Sequence, residues 1–333
     1  MIVSRAPFRL SLFGGGTDYP EYFNEVPTVV TAVAINKHCY ITMRSLPPFF
    51  ETHRTRLVYS KIEAVKSHSE LYHPTARACL TTLNVPEGLE IHHDGDLPAR
   101  SGIGTSAAFT VSLLVAIHKY QQKAYTAETI SRLAIAIERD GANEPVGVQD
   151  QIISAYGGAL VISCGPGNNL DVRPLKVNKD YLAALSKSVL MGFHGSPRFG
   201  AEHAAGLVKG IREGRYVSRL DELRHLSLAA LEALESEQSF KKIGELLRVG
   251  WELKKSLAVN EHQLSDLDSL LERANSLGAF GGKLMGAGGS GFFYILADPG
   301  LHDKLRSEFS SVSFWSNISF SDIGAETWQI GED

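Results

Sequence analysis

Cysteine is scarce in this 333-residue chain: Cys39, Cys79 and Cys164 are widely spaced and form no CxxC pair. That excludes a disulfide framework and a cysteine-based zinc site, and fits reduced thiols in a cytoplasmic protein. No apolar run approaches about 18 residues, so no membrane-spanning helix is expected. Arg5, Pro7 and Arg9 interrupt the apolar start, which removes a signal-peptide core. Basic charge is not in surplus: 33 Lys and Arg stand against 37 Asp and Glu, a formal net charge of −4. A nucleic-acid binder usually carries the reverse balance or a basic stripe. No GK[ST] triplet occurs, so any nucleoside triphosphate is not held by a Walker A loop. Neither an internal repeat nor a low-complexity segment is visible. The expected partners are small molecules, not nucleic acid or membrane, and homo-oligomerisation stays open.

What is present is a chain with 44% hydrophobic content, enough for two domains with their own cores. The alternation in "FRLSLF" predicts a strand. "TVVTAVAI" and "CYITMRSL" read as two further strands, "RLVYSKIE" as one more, and "LEIHH" as another. A helix follows with Ala107, Val111, Leu114, Val115 and His118 on one face. A second helix is expected from Thr126, its N-cap, to about Asp140. "GALVISC", "SVLMGFH" and "GFFYILA" complete the strands, and helices are expected near 201–213, 219–237, 239–256 and 264–277. The glycine-bearing "CGPGNNLDVRP" at 164–174 marks the domain junction. Strand-rich first and helix-rich second indicates an α+β protein.

Three glycine-rich stretches could carry chemistry: "GGGTD" (Gly14–Asp18), "PARSGIGTSAA" (Pro98–Ala108) and "GGKLMGAGGSG" (Gly281–Gly291). The second is the strongest anion site. It joins a strand to a helix start, where unsatisfied N–H groups and the macrodipole favour negative charge. Gly102 and Gly104 let the backbone approach a phosphate closely. Thr105 and Ser106 offer hydroxyls to phosphate or Mg²⁺. The alternative is a plain helix-entry loop capped by Thr105 or Ser106. "GIGTSA" and "GAGGSG" match dinucleotide fingerprints only formally: the strand before the first alternates and is separated from it by a long loop, and the second follows a helix and precedes a strand, which is the wrong order. Glu138, near a helix end, is either a half-buried metal ligand or an ordinary surface acid. Asp150 is either functional or a cap. His92 and His93, adjacent on a strand, face opposite ways and make a poor chelate.

Taken in order, "PFRLSLFGGGTDY", "PARSGIGTSAA" and "KLMGAGGSG" resemble the three motifs of the GHMP kinases. The match spans nearly the whole chain. Further stretches ("RAPFRLSLFGGGTDYPEYF", "VYSKIEAV", "HPTARACL", "QDQIISAYGG", "WELKKSL") resemble the heptose 7-phosphate kinases within that superfamily, which phosphorylate an anomeric hydroxyl with MgATP. The resemblance implies an N-terminal domain like domain 2 of ribosomal protein S5 (residues 1–175) and a ferredoxin-like C-terminal domain (176–333). It implies Asp150 and Arg9 as the catalytic pair. ATP contacts would come from Pro98, Ser101, Gly102, Ile103, Gly104, Thr105, Ser106 and Ala107, supported by Lys283, Gly286, Gly288 and Gly289. Ser106 and Glu138 would hold Mg²⁺. Gly15, Gly16, Thr17, Asp18 and Tyr19 would bind the sugar, with Lys37 and Arg198 as candidates for its phosphate. "GFHGSPRFGAEH" (192–203) departs from the family pattern, which leaves the sugar open. A kinase for another sugar such as fucose, a non-catalytic sensor and a decarboxylase of the mevalonate type are the competing readings.

Overall fold

The protein is described from a computed structural model covering residues 1–331 apart from 48, 51, 100, 196–199, 258–263 and 287–290. The strands are β1 (Ile2–Phe13), β2 (Thr28–Ser45), β3 (Thr55–Val58), β4 (Ile62–Val65), β5 (Leu89–Gly95), β6 (Ala159–Gly165), β7 (Asn169–Pro174), β8 (Val189–His194), β9 (Gly281–Leu284), β10 (Gly291–Leu296), β11 (Phe314–Ser316) and β12 (Glu326–Gln329). The helices are α1 (Pro20–Phe23), α2 (Pro74–Thr82), α3 (Thr105–Tyr120), α4 (Ala127–Ala136), α5 (Gln149–Tyr156), α6 (Lys179–Lys187), α7 (Gly200–Arg212), α8 (Val217–Glu235), α9 (Phe240–Lys255), α10 (Ser265–Ser276) and α11 (His302–Glu308).

Two sheets organise these elements. The larger runs β12-β1-β2-β5-β3-β4, with β6 on a second stretch of β2 and β7 beyond it. The smaller runs β11-β8-β10-β9. Apolar residues at alternate positions of β1 (Phe8, Leu10, Leu12) bury against α3, whose own residues Phe109 to Ile117 are buried nearly throughout. A helix buried on almost every side sits deep in the core rather than on the surface. The same core continues into the small sheet through Met191, Phe292 and Tyr294, while a second cluster lies under α9 and α10. Among the described residues, no helix is long and apolar enough to cross a membrane.

Four expectations need correction. The two strands read across 28–46 are one, β2, whose first half pairs with β6 and second half with β5. At the polar Asn36 and Lys37 the pairing with β1 shifts register, between Pro7–His38 and Arg9–Ala34, while the strand itself runs through. "RLVYSKIE" is not one strand but two, β3 and β4, folded into a hairpin that returns near Ser60. The helix after Thr126 stops at Ala136 and passes into a π-helical turn, Ile137–Gly141. The stretch 164–174 is a hairpin inside the large sheet, pairing Gly165 with Asn169, and not a linker. The C-terminal β12 also returns to β1 in the large sheet.

Candidate active site

β1 positions the first residue. Phe8 and Leu10 face the core, so Arg9 and Ser11 share the opposite face. There Arg9 meets α5, and its Nε and one terminal nitrogen donate to the two oxygens of Asp150 at 2.7 and 2.8 Å. This two-pronged pairing fixes the carboxylate plane as well as its position. The remaining arm of Arg9 donates to the Gly102 carbonyl at 2.5 Å. Ser11 holds Gln149, whose amide donates to Asp150 at 3.1 Å. Asp150 lies in the first turn of α5, where a negative group is favoured.

The second glycine stretch wraps the start of α3. The helix is capped by Gly104 at φ +76°, with no side-chain hydrogen bond to the cap. The N-cap is thus Gly104 rather than Thr105 or Ser106, at a helix start where the macrodipole favours an anion. Ser101 and Gly102 are clamped from the small sheet: the Phe292 N–H donates to the Ser101 carbonyl at 2.8 Å. Gly102 has φ +81°, and a Cβ there would lie 2.8 Å from the Met285 carbonyl oxygen. Gly286 presses on Gly102 from the same side. Pro98 accepts the Ser101 hydroxyl, while Ile103 and Ala107 are buried in the core and offer backbone only.

Behind the helix start lies Glu138, fully buried in the π-turn. Thr110 donates to it at 2.6 Å and Ser106 at 3.4 Å, and Gln151 donates to its other oxygen. Burial pushes its carboxyl up to about 7 despite these hydrogen bonds. A single carboxylate beside an exposed hydroxyl, at a phosphate-ready helix start, matches how Mg²⁺ is held between protein and substrate phosphates. Among the described residues, no cluster of three or more His, Cys, Asp or Glu forms a metal cage. The π-turn fits a functional position, since such insertions occur mostly at sites.

The first glycine loop faces the pair. Asp18 accepts from the Gly16 N–H at 2.9 Å and the Gln149 N–H at 3.2 Å. Burial raises its carboxyl above the usual range, and the Asp150 charge adds to that. Gly16 has φ +108° with nothing within 4 Å of the place a Cβ would occupy. Thr17 is committed to the Gly14 carbonyl and Thr28, and Tyr19 is packed under α7.

The structure thus brings Arg9, Asp18, Ser106, Glu138, Asp150 and the 101–107 loop together. Lys283 also arrives, but its ammonium donates to the Leu12 carbonyl at 2.7 Å. Lys37 sits on β2 beside the irregular pairing of Pro7 and Arg9, half-buried, with no hydrogen bond or ion pair to these residues among those described. Arg198, Gly288 and Gly289 lie outside the described residues. Sequence reasoning missed Thr110, Gln149, Gln151 and Lys254. Thr110 was within reach, being one helical turn beyond Ser106 on the same face; Lys254 lies in the family-like stretch "WELKKSL", which by itself does not single it out.

Residues 65–158 match the family description "GHMP kinases N terminal domain", and residues 228–312 match "GHMP kinases C terminal". The two segments, in the expected order, span more than half of the chain. The chain belongs to the GHMP kinases. As a GHMP kinase it is a phosphotransferase with an alcohol acceptor, a class that uses ATP. It is 24% identical to the D-glycero-alpha-D-manno-heptose 7-phosphate kinase of Campylobacter jejuni, covering 99% of both chains. It is 28% identical to the mevalonate kinase of Pyrococcus abyssi over 63% of this chain and 60% of that one. In fold it is similar to the crystal structure of a D-glycero-D-manno-heptose 1-phosphate kinase from Bacteriodes thetaiotaomicron (TM-score 0.78, 22% identity, all of both chains). Galactokinase of Lactococcus lactis, solved with galactose, has the same fold (TM-score 0.68, 16% identity, 99% of this chain and 95% of that one).

Proposed function

We propose that this GHMP kinase transfers the γ-phosphoryl group of ATP to the anomeric hydroxyl of D-glycero-D-manno-heptose 7-phosphate. The product would be the 1,7-bisphosphate, a precursor for nucleotide-activated heptose. The observation that carries the reading is the Arg9–Asp150 pair, seated between the glycine-capped start of α3 and a glycine loop with space above Gly16. The end-to-end likeness to a heptose 7-phosphate kinase supports the acceptor.

In this reading the α3 N–H groups and the 101–107 loop cradle the ATP phosphates. Ser106 and Glu138 would hold Mg²⁺, which when bound neutralises phosphate charge. Asp18 accepts hydrogen bonds from sugar hydroxyls above Gly15 and Gly16. Arg9 and Gln149 fix Asp150 so that its carboxylate takes the acceptor's proton. The anomeric hydroxyl is more acidic than other sugar hydroxyls because the ring oxygen withdraws charge, so positioning does most of the work. Residues 1–175 and 176–333 act as the two halves of the cleft, with β12 strapping the second to the first.

The test is a panel of acceptors with MgATP, followed by ADP release. Heptose 7-phosphate is expected to exceed fucose, galactose and mevalonate in kcat/KM by at least about 100-fold, as a site built to hydrogen-bond one polyol rejects others. Fucose is the second reading, because a bifunctional fucokinase/GDP-fucose pyrophosphorylase of Arabidopsis thaliana is 29% identical over 63% of this chain and 20% of that one. Faster turnover of fucose would replace the first reading with the second.

A further inference from the structure

The transfer centre has a charge that neither the glycine motifs nor the catalytic pair accounts for. Lys254 lies in the last turn of α9, outside all three glycine stretches. Its Nζ donates to the Leu284 carbonyl at 3.2 Å and to the Gly286 carbonyl at 2.5 Å. Those two residues carry the third glycine loop, and Gly286 rests on Gly102 of the phosphate loop. With Lys283, Gly14 and Gly15, Lys254 lines a small cavity at the base of the first glycine loop. It is close enough to Arg9, Asp18 and Asp150 to feel all three charges. One side chain therefore touches the third glycine motif, borders the first, and reaches the second through Gly286.

The balance of charge shows what it is free to do. Arg9 is committed to both oxygens of Asp150. Asp18 is held by backbone N–H groups. Lys283 is buried on the Leu12 carbonyl, and burial draws its ammonium well below the ordinary lysine range. Lys254 forms no ion pair with a carboxylate among the described residues; its partners are two carbonyls. An ammonium has three N–H donors, so among the described residues one remains, on a positive charge that Asp18 and Asp150 favour without pairing with it directly. Phosphoryl transfer brings negative charge into this spot and is catalysed mainly by placing positive groups against it.

We infer that Lys254 is a catalytic residue of this kinase, giving its third N–H to the transferring phosphoryl group while its other two hold Leu284 and Gly286, the latter against Gly102. The acceptor oxygen forms its bond to the γ-phosphorus as the bond from that phosphorus to the β,γ-bridging oxygen breaks. The acceptor proton goes to Asp150, and ADP leaves with the electron pair of the broken bond. Lys254 exchanges no proton in this step; it counters the charge on the non-bridging oxygens. The inference rests on phosphoryl transfer by the family and not on which sugar is the acceptor.

The experiment compares Lys254→Met and Lys254→Arg with the wild type, using whichever acceptor the panel identifies, or slow MgATP hydrolysis if none is turned over. Lys254→Met is expected to lower kcat by roughly 100-fold or more, with KM for ATP and acceptor within about threefold. Lys254→Arg is expected to recover at least about a tenth of the wild-type kcat. Burial lowers the Lys254 ammonium to about 8, so wild-type kcat should fall as pH rises through that value. Arginine stays charged, and the fall should vanish in Lys254→Arg. The charged groups facing Lys254 are Arg9 on β1, Asp18 after it, Asp150 on α5 and Lys283 on β9, and all are unchanged in both variants. A kcat within threefold of wild type in Lys254→Met overturns the inference. So does Lys254→Arg as inactive as Lys254→Met, with both losing ATP affinity and melting temperature alike, because that is a structural role. A wild type that prefers another sugar rejects the acceptor reading alone.

Discussion

The two glycine loops that meet at Asp150 use glycine for opposite reasons. At Gly102 the backbone is left-handed and the carbonyl of Met285 occupies the space of a side chain, so glycine is forced by the protein itself. At Gly16 the backbone is also left-handed, yet the space beside it is open. The first arrangement is a clamp: the small sheet closes on the phosphate loop through Phe292, Met285 and Gly286. The second is a vacancy beside a buried acid, Asp18, which suits an acceptor rather than a phosphate. In the proposed reading, the donor and acceptor sides of the site are thus distinguished by what fills the room glycine leaves.

That contrast can be broken at its centre first. Asp150→Asn should reduce kcat by about 10² to 10⁴, the usual worth of a positioned base, while ATP affinity by fluorescence titration stays within threefold. Gly102→Ala comes next. Its methyl group meets the Met285 carbonyl in a conformation that already costs about 1–3 kcal/mol, so ATP affinity should drop by roughly tenfold or more and melting temperature should fall. Glu138→Ala should raise the Mg²⁺ concentration for half-maximal activity by about tenfold, and chelation should stop turnover in the wild type. An unchanged metal requirement would remove Glu138 from the ligand set. The smallest effect is expected from Gly16→Ala. It should cost about 1 kcal/mol of stability and raise only the acceptor KM, because nothing but an acceptor uses that space. A matching rise in the KM for ATP would erase the distinction between the loops.

The α+β class, the helix at 105–120 and the two central strands of the small sheet, β8 and β10, were legible because periodicity and glycine placement survive in a single sequence; its outer strands β9 and β11 were not read. The Thr126 cap was legible too, and it closes a full capping box with Thr129. The length of β2 was not, since the polar pair Asn36 and Lys37 falls at a register irregularity between the stretch paired with β6 and the stretch paired with β5, and the strand runs through it. The meeting of Arg9 with Asp150, 141 positions apart, has no local signal; only the ordered motifs pointed to it. Burial of Glu138 escaped for a different reason. Its helix period puts it at the edge of the apolar stripe, and the π-turn rotates it inward where α2 packs. Lys254 could not be singled out within "WELKKSL", because the Leu284 and Gly286 carbonyls reach it only in the folded chain.

The central claim is that a sugar's anomeric oxygen attacks ATP from above the first glycine loop. Phosphorus NMR of the product made from heptose 7-phosphate and MgATP tests it most directly. The account predicts a second sugar-phosphate signal coupled to the anomeric proton, with the original 7-phosphate signal retained. A new phosphate coupled to any other carbon-bound proton, or consumption of ATP with no second sugar phosphate, would contradict it.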